Sequence, residues 1–416
     1  MEILSTGEKI RKARIKKSMT LKELCGKEIS VSKMSTIEND KVQAEDWILD
    51  LVSKRLGIST ESLKKDMVEE IEDELAKLSL EPYSKGYVRE LRSLIEVTEE
   101  NNLPTQTFNA RIQLINHYIE KHKIDKLNVE ISYLYRTFIN VVNQETMYIY
   151  FLTMSKYLFA TDEYKNALVF LHYLMSNYYV LPDYISKEKR LEIPLMTVQC
   201  YVYLKEFEEA RKLEPYLEEL LTITKDNATK GQIHFLYYML EPDNAKEEYE
   251  KMTESLKDEP QLHARAKYNI AMKALEDGNT EVAFEEMEKA SKIYPVDELS
   301  TSVELVLKAM GEFVNRGHFE EASKYIDLVV NSAIENQDNS AVEKAYYFKG
   351  ILLAESGSYD MAETYLSVSL DMLIKKGKTK DLAKRYNDMA HVYYKMDKKE
   401  DAIRYLALGL NSKGYI

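Results

Sequence analysis

Between Lys9 and Lys41 the chain carries Lys9, Arg11, Lys12, Arg14, Lys16, Lys17, Lys22, Lys27, Lys33 and Lys41 against only Glu23, Glu28, Glu38 and Asp40. That local excess of +6 sits in a 416-residue chain of net charge −13, which leaves −19 for the remainder. Clustered ammonium and guanidinium groups neutralise phosphates and release their counterions. A basic segment on an acidic body is the charge pattern of a protein whose affinity for nucleic acid is local to one module. The competing reading is a lysine-rich helix face that is merely solvated.

A second set of side chains recurs at matching places further along: Gln199, Tyr203, Tyr268, Asn269, Lys308, Asn315, Tyr347, Asn387 and His391. Amides pair with both the N–H and the C=O of an extended backbone. Aromatic rings add contact area at low entropic cost. Lined along one surface, such a mixture suits a short peptide. Catalysis is not indicated, because no glycine-rich phosphate loop, HExxH or GxSxG is present. The seven histidines have no metal-ligand spacing, and His117 and His122 fall off a common helix face. The expectation is a non-enzymatic protein with no cofactor and no metal.

The elements that must position these residues are helical. Few Gly (13) and Pro (8) in 416 residues, with periodic apolar positions, predict an all-α chain. No apolar run is long enough to cross a membrane, and no secretory signal opens the sequence. Cys25 and Cys200 lie far apart, which fits a reduced, cytoplasmic setting.

A first module spans 1–63. Ile10 and Ala13 mark its first helix. Thr20 with Glu23 forms a capping box for a short second helix. Ser30 or Ser32 caps a third helix with Met34 and Ile37 inward, and Asn39-Asp40 ends it. A fourth helix presents Trp47, Leu51, Val52 and Leu56 to the core and stops at Gly57. These motifs, with Lys9-Ile10-Arg11, Ser35-x-Ile37-Glu38 and Leu56-Gly57-Ile58, resemble the lambda-repressor (XRE-type) helix-turn-helix family. The resemblance implies base contacts from Ser32, Lys33 and Thr36, with Ser30 and Asn39 at the margins. It implies phosphate contacts from Arg11, Arg14, Lys16, Lys17 and Lys41. Glu38 is expected to pair with a first-helix arginine. Leu21 and Asp40 depart from the family pattern, which has Gln and Gly there.

The segment 64–86 reads as a helical linker with a narrow stripe of Met67, Ile71, Leu75 and Leu78. The stripe suits either a helix of a second subunit or the chain's own repeats. Over 87–416 an alanine recurs near the start of a second helix: Ala167, Ala210, Ala245, Ala283, Ala322, Ala362 and Ala402. One or two weaker hairpins are expected over 87–147. The pattern resembles tetratricopeptide repeats lengthened to about 40 residues, which implies a right-handed solenoid with a groove lined by first helices. Helical phase counted back from the anchor alanines gives the peptide-facing set above.

The whole arrangement resembles the RRNPP family of cytoplasmic peptide-pheromone receptors (Rap, Rgg, NprR, PlcR, PrgX). In that family asparagines on first helices hold the pheromone backbone. Asn269, in Tyr268-Asn269-Ile270-Ala271, occupies that type of position, and Asn387 sits one residue earlier in its own repeat. The resemblance implies operator DNA and a re-imported signalling peptide as partners, a homodimer, and a peptide-shifted equilibrium in DNA binding. Two alternatives remain open: a Rap-like protein that binds a response regulator or phosphotransferase, and an orphan repressor with a protein partner in the groove.

Overall fold

The computed structural model describes residues 4–82, 84–121, 123–178, 185–293, 300–335, 337–375 and 381–412. Among these residues all regular structure is helical. The chain forms two compact units, Met1–Pro182 and Asp183–Ile416.

The first unit opens with a head of five helices: α1 (Thr6–Lys16), α2 (Leu21–Cys25), α3 (Val31–Glu38), α4 (Asp46–Leu56) and α5 (Thr60–Lys64). Reciprocal capping boxes start α1 (Ser5 with Glu8) and α2 (Thr20 with Glu23), and Ser30 caps α3. Ile10, Leu24, Met34, Ile37, Ile48, Leu49, Val52, Leu56 and Leu63 fill the core, with Ala13, Leu21 and Leu51 partly buried around it. The expectation that Trp47 packs in this core is corrected: it is 47% exposed. The apolar face of α4 runs through Ile48, Val52 and Leu56, a four-residue spacing that turns position 47 outward.

Helix α6 (Met67–Leu80) follows, then α7 (Tyr87–Glu100), α8 (Pro104–Glu120), α9 (Ile124–Phe138), α10 (Gln144–Ala160) and α11 (Tyr164–Ser176). Ile71, Leu75 and Leu78 of α6 are buried in one cluster with Leu91, Leu94, Phe108 and Leu114. Gln113 Nε2 donates to the Leu75 carbonyl at 3.0 Å, and Gln106 Nε2 to Glu72 at 2.9 Å. Of the two readings of this stripe, the structure gives the second: α6 packs on the chain's own hairpins. Lys9 ties the head to the start of α6 through Glu70 (2.5 Å) and the Lys65 carbonyl (2.7 Å).

The second unit continues with α12 (Lys187–Leu204), α13 (Phe207–Arg211), α14 (Glu214–Ile223), α15 (Asn227–Leu240), α16 (Ala245–Ser255), α17 (Pro260–Glu276) and α18 (Thr280–Ile293). It ends with α19 (Ser300–Asn315), α20 (Phe319–Glu335), α21 (Asn339–Glu355), α22 (Tyr359–Lys375), α23 (Leu382–Lys395) and α24 (Lys399–Ser412). Successive helices pair as hairpins, and α19 also packs on both α17 and α21, so the hairpins stack.

One register governs the hairpins. Asp162, Lys205, Gly278, Gly317, Gly357 and Asp397 all have φ between +61° and +82°, each five residues before an anchor alanine. The left-handed residue ends the first helix, and the alanine is buried where the second helix crosses it. Asn102 (φ +54°) stands five residues before buried Thr107, which extends the register to α7 and α8. Ala245 departs from it. Although α16 starts there, Ala245 is only half-buried, and the close approach falls at Gly231, against Leu256.

Candidate nucleic-acid interface and peptide-binding face

On the head, α2, a turn at Gly26 (φ +60°) and α3 present one polar surface. Ser30, Ser32 and Asn39 are exposed on α3 and its caps, with Lys33 and Thr36 half-exposed. Arg11, Lys16, Lys17 and Lys41 are also exposed on the head, with Lys17 Nζ 3.4 Å from the Arg55 carbonyl at the end of α4. Two hydroxyl and amide groups have local partners: Thr36 Oγ1 donates to the Lys33 carbonyl (2.8 Å) and Asn39 Nδ2 to the Ser35 carbonyl (2.6 Å). Val31, to which the sequence pattern assigns no role, is 44% exposed in the first turn of α3. An apolar residue at N1 carries no signal in an amphipathic count.

Arg14 does not belong with the phosphate-facing residues. Its Nε and Nη2 reach the two Glu38 carboxylate oxygens at 2.7 and 2.8 Å, and Nη1 donates to the Met19 carbonyl at 2.9 Å. Glu38 is 5% exposed, so this forked pair clamps α1 to α3 inside the head. The Glu38 bond holds the Arg14 guanidinium charged, with its pKa raised. The departure at Asp40 also has a physical account. Asp40 adopts φ +53°, the conformation for which glycine is the usual choice. Its carboxylate accepts from the Gly7 N–H (3.0 Å) and the Ser5 hydroxyl, at the N-terminus of α1. A negative charge is favoured there by the orphan N–H groups and the helix dipole.

On the second unit, the first helices bring part of the amide set together. Gln199 Nε2 donates to Gln232 Oε1 at 2.9 Å, from α12 to α15. Asn269 Nδ2 donates to the Tyr203 hydroxyl at 3.2 Å, from α17 to α12. Lys205 and Glu276 span the same pair of helices at 2.8 Å. Further on, Lys384 Nζ donates to Asn315 Oδ1 at 3.3 Å, from α23 to α19. Lys308 and His391 are exposed on the same helices.

Two residues of the expected set are corrected. Tyr268 is 1% exposed and lies in the core between hairpins, its hydroxyl without a described partner. Tyr347 is 4% exposed, donates to Asp388 Oδ2 at 2.7 Å and lies 3.3 Å from the Arg385 guanidinium. Tyr268 precedes Ala283, and Tyr347 precedes Ala362, by the interval that separates Leu195 from Ala210 and Leu307 from Ala322. Leu195 and Leu307 are buried too. That position faces the neighbouring hairpin, and the open face begins one residue later, at Asn269 and Lys308. Asn387 holds the same place yet is exposed, lining a concavity of about 540 Å³ with His391, Tyr394, Ile403 and Leu406.

Among the described residues no group of three His, Cys, Asp or Glu could hold a metal ion. No helix there is long and apolar enough to cross a membrane. Cys25 and Cys200 are buried free thiols, and burial pushes the Cys200 thiol up to about 12.

The fold is similar to that of a Rap protein solved with Competence and Sporulation Factor, at 15% identity over 83% of this chain and 98% of that one, with a TM-score of 0.50. Two other solved structures come from Bacillus thuringiensis. The apo quorum sensor NprR shows 16% identity over 84% of this chain and 100% of that one, with a TM-score of 0.45. PlcR in complex with the peptide PapR7 and DNA shows 16% identity over 63% and 97%, with a TM-score of 0.36. At these identities the likeness is one of fold. No protein-family model matches it, and no curated relative does.

Proposed function

We propose that this chain is a cytoplasmic, peptide-responsive transcription regulator of the RRNPP type. Its head is a lambda-repressor-like helix-turn-helix that binds operator DNA, and its hairpins form a right-handed tetratricopeptide-type solenoid that takes a signalling peptide on the first-helix face. The observation that carries the reading is one chain holding two distinct polar surfaces, one in each unit. The first is the exposed polar side of α3, in a head that also exposes Arg11, Lys16, Lys17 and Lys41. The second is the amide and phenol ladder of Gln199, Gln232, Tyr203 and Asn269. The Rap protein of similar fold was solved in complex with Competence and Sporulation Factor, and a face of paired donors and acceptors suits a peptide backbone. The protein acts by binding alone, as a homodimer on a two-fold operator.

The test has two arms. Lys33→Ala with Thr36→Ala reduces discrimination between operator and random duplex, whereas Arg11→Ala weakens both and flattens the salt slope by about one unit. Equal losses on both duplexes for the first pair remove α3 as the reading helix. Asn269→Ala abolishes the calorimetric response to the cognate peptide while the helical content by circular dichroism stays unchanged; an unaltered titration removes Asn269 from the site.

A second reading follows from the sequence resemblance to Rap-type proteins, in which the hairpins bind a response regulator or phosphotransferase. Co-purification with such a protein, lost on adding peptide and indifferent to Lys33→Ala, selects it.

A further inference from the structure

Lys33 projects from the first turn of α3, and its ammonium is held from one side. Nζ lies 2.8 Å from Glu45 Oε1 and 5.8 Å from the centroid of the Trp47 ring. The other Glu45 oxygen accepts the Trp47 indole N–H at 2.5 Å. Glu45 is the N-cap of α4 but its carboxylate takes none of that helix's free backbone N–H groups, so both oxygens are committed to Lys33 and Trp47. The contact joins the start of α3 to the start of α4 across the intervening turn.

Each member is unusual at this place unless the three act together. Trp47 is 47% exposed on a helix whose other large apolar residues are inward. Glu45 puts a negative charge beside the lysine of the helix proposed to meet DNA, where it costs affinity for any phosphate backbone. A lysine left alone is a flexible point charge that finds phosphates without reading sequence. Held by a carboxylate and by the ring face, the same ammonium stays at the N-terminal end of the helix that enters the major groove. There its strongest acceptors are guanine O6 and N7.

We propose that Glu45 and Trp47 form a positioning clamp that makes Lys33 a guanine reader rather than a phosphate contact. This rests on the DNA-binding reading of the head. Glu45 lowers general affinity and raises discrimination, and Trp47 supplies the ring against which the ammonium is oriented. The carboxylate is kept ionised, its pKa lowered chiefly by the Lys33 bond and then by the indole bond.

The experiment uses the full chain and duplexes selected by it from a random-sequence library. Binding is measured on a selected duplex, on a copy with its half-site guanines replaced by adenine, and on a scrambled duplex. The wild-type chain prefers the guanine duplex by about tenfold, within the range for one good side-chain–base contact. Lys33→Met removes that preference. Glu45→Ala raises affinity for the scrambled duplex and reduces the preference. If Glu45→Ala strengthens all three duplexes by one factor, the carboxylate acts by charge alone and the clamp is overturned.

Trp47 is the chain's single tryptophan, so its indole N–H gives one resonance, which reads the clamp without DNA. Lys33→Met and Glu45→Ala each shift that resonance, and Trp47→Phe assigns it. A resonance indifferent to Lys33→Met overturns the clamp even where DNA binding is intact. A wild-type chain that selects no duplex overturns the DNA reading, and the guanine role falls with it. The resonance then reports only whether the three side chains are in contact.

Discussion

At the scale of single residues, departures from pattern carry more information than matches. Asp40 stands where the helix-turn-helix pattern that the head resembles has glycine, and it both accepts a left-handed backbone and binds the N-terminus of α1. An L-residue there costs about 1 kcal/mol of strain, and the carboxylate offsets it. Asp40→Ala keeps the strain and loses the bonds. Asp40→Gly loses the bonds and the strain together, and Asp40→Asn keeps an acceptor. In denaturant unfolding the alanine variant is the least stable, about 1 kcal/mol below the glycine variant; alanine equal to glycine refutes the backbone argument. His263 offers a test by pH. It is 7% exposed, with Nε2 unpartnered among the described residues. Burial, then the Lys267 charge, pushes its pKa down from 6.5 to about 4. The unfolded chain binds the proton first, so this stability is present above pH 6.5 and is lost as pH falls towards about 4. The loss approaches about 3 kcal/mol. Denaturant midpoints of wild type and His263→Gln should converge over that interval and stay parallel above it; a constant offset from pH 7 to 4 excludes His263 as the source.

At the scale of elements, the anchor alanines are legible in the sequence because a small residue at a crossing recurs at near-constant intervals. The head is legible because capping boxes and apolar spacing agree. Phase within a helix is not. A helix packed on two sides has no wide polar stripe to fix its rotation, so the count from the anchors puts Tyr268 and Tyr347 on the open face one residue too early. For the same reason apolar spacing alone turns Trp47 inward. The Arg14–Glu38 pair shows the complementary case. Glu38 does take a first-helix arginine as its partner, and that bond withdraws the same arginine from the phosphate contacts. Crossings also have a partner position that the alanine pattern leaves unmarked. Gly350 lies twelve residues before Ala362, as Ala271 does before Ala283 and Ala390 before Ala402. A Cβ on Gly350 would stand 2.6 Å from Leu366 Cγ and 3.2 Å from the Leu366 backbone nitrogen. Alanine would gain up to about 1 kcal/mol of helix propensity over glycine. Overpacking of about 1–3 kcal/mol outweighs it. Gly350→Ala should therefore lower the thermal midpoint, and Leu366→Ala in the same background should cost less than it does alone. Stabilisation by Gly350→Ala, or strict additivity, shows that α21 and α22 have room to part.

At the scale of the whole molecule, a regulator of the proposed kind needs the two polar surfaces to be coupled, and coupling has a thermodynamic signature independent of its route. If peptide changes the affinity for operator by some factor, operator must change the affinity for peptide by the same factor, because both are edges of one cycle. A factor of about 5 to 150 is typical of such coupling. Peptide preferring neither conformation would shift nothing, however tightly it bound. The residues divide the work so that each half of the cycle can be cut separately. Arg11 and Lys16 lie exposed on the head, and Asn269 is half-exposed on α17. Arg11→Ala should weaken operator binding and leave the coupling factor intact. Asn269→Ala should leave operator affinity without peptide unchanged and remove the response to it. Calorimetric peptide titrations with and without saturating operator, set against operator titrations with and without peptide, must return equal factors in the wild-type chain. Equal factors near one would mean that the hairpins serve a different partner from the head, which is the outcome that the Rap-like reading expects.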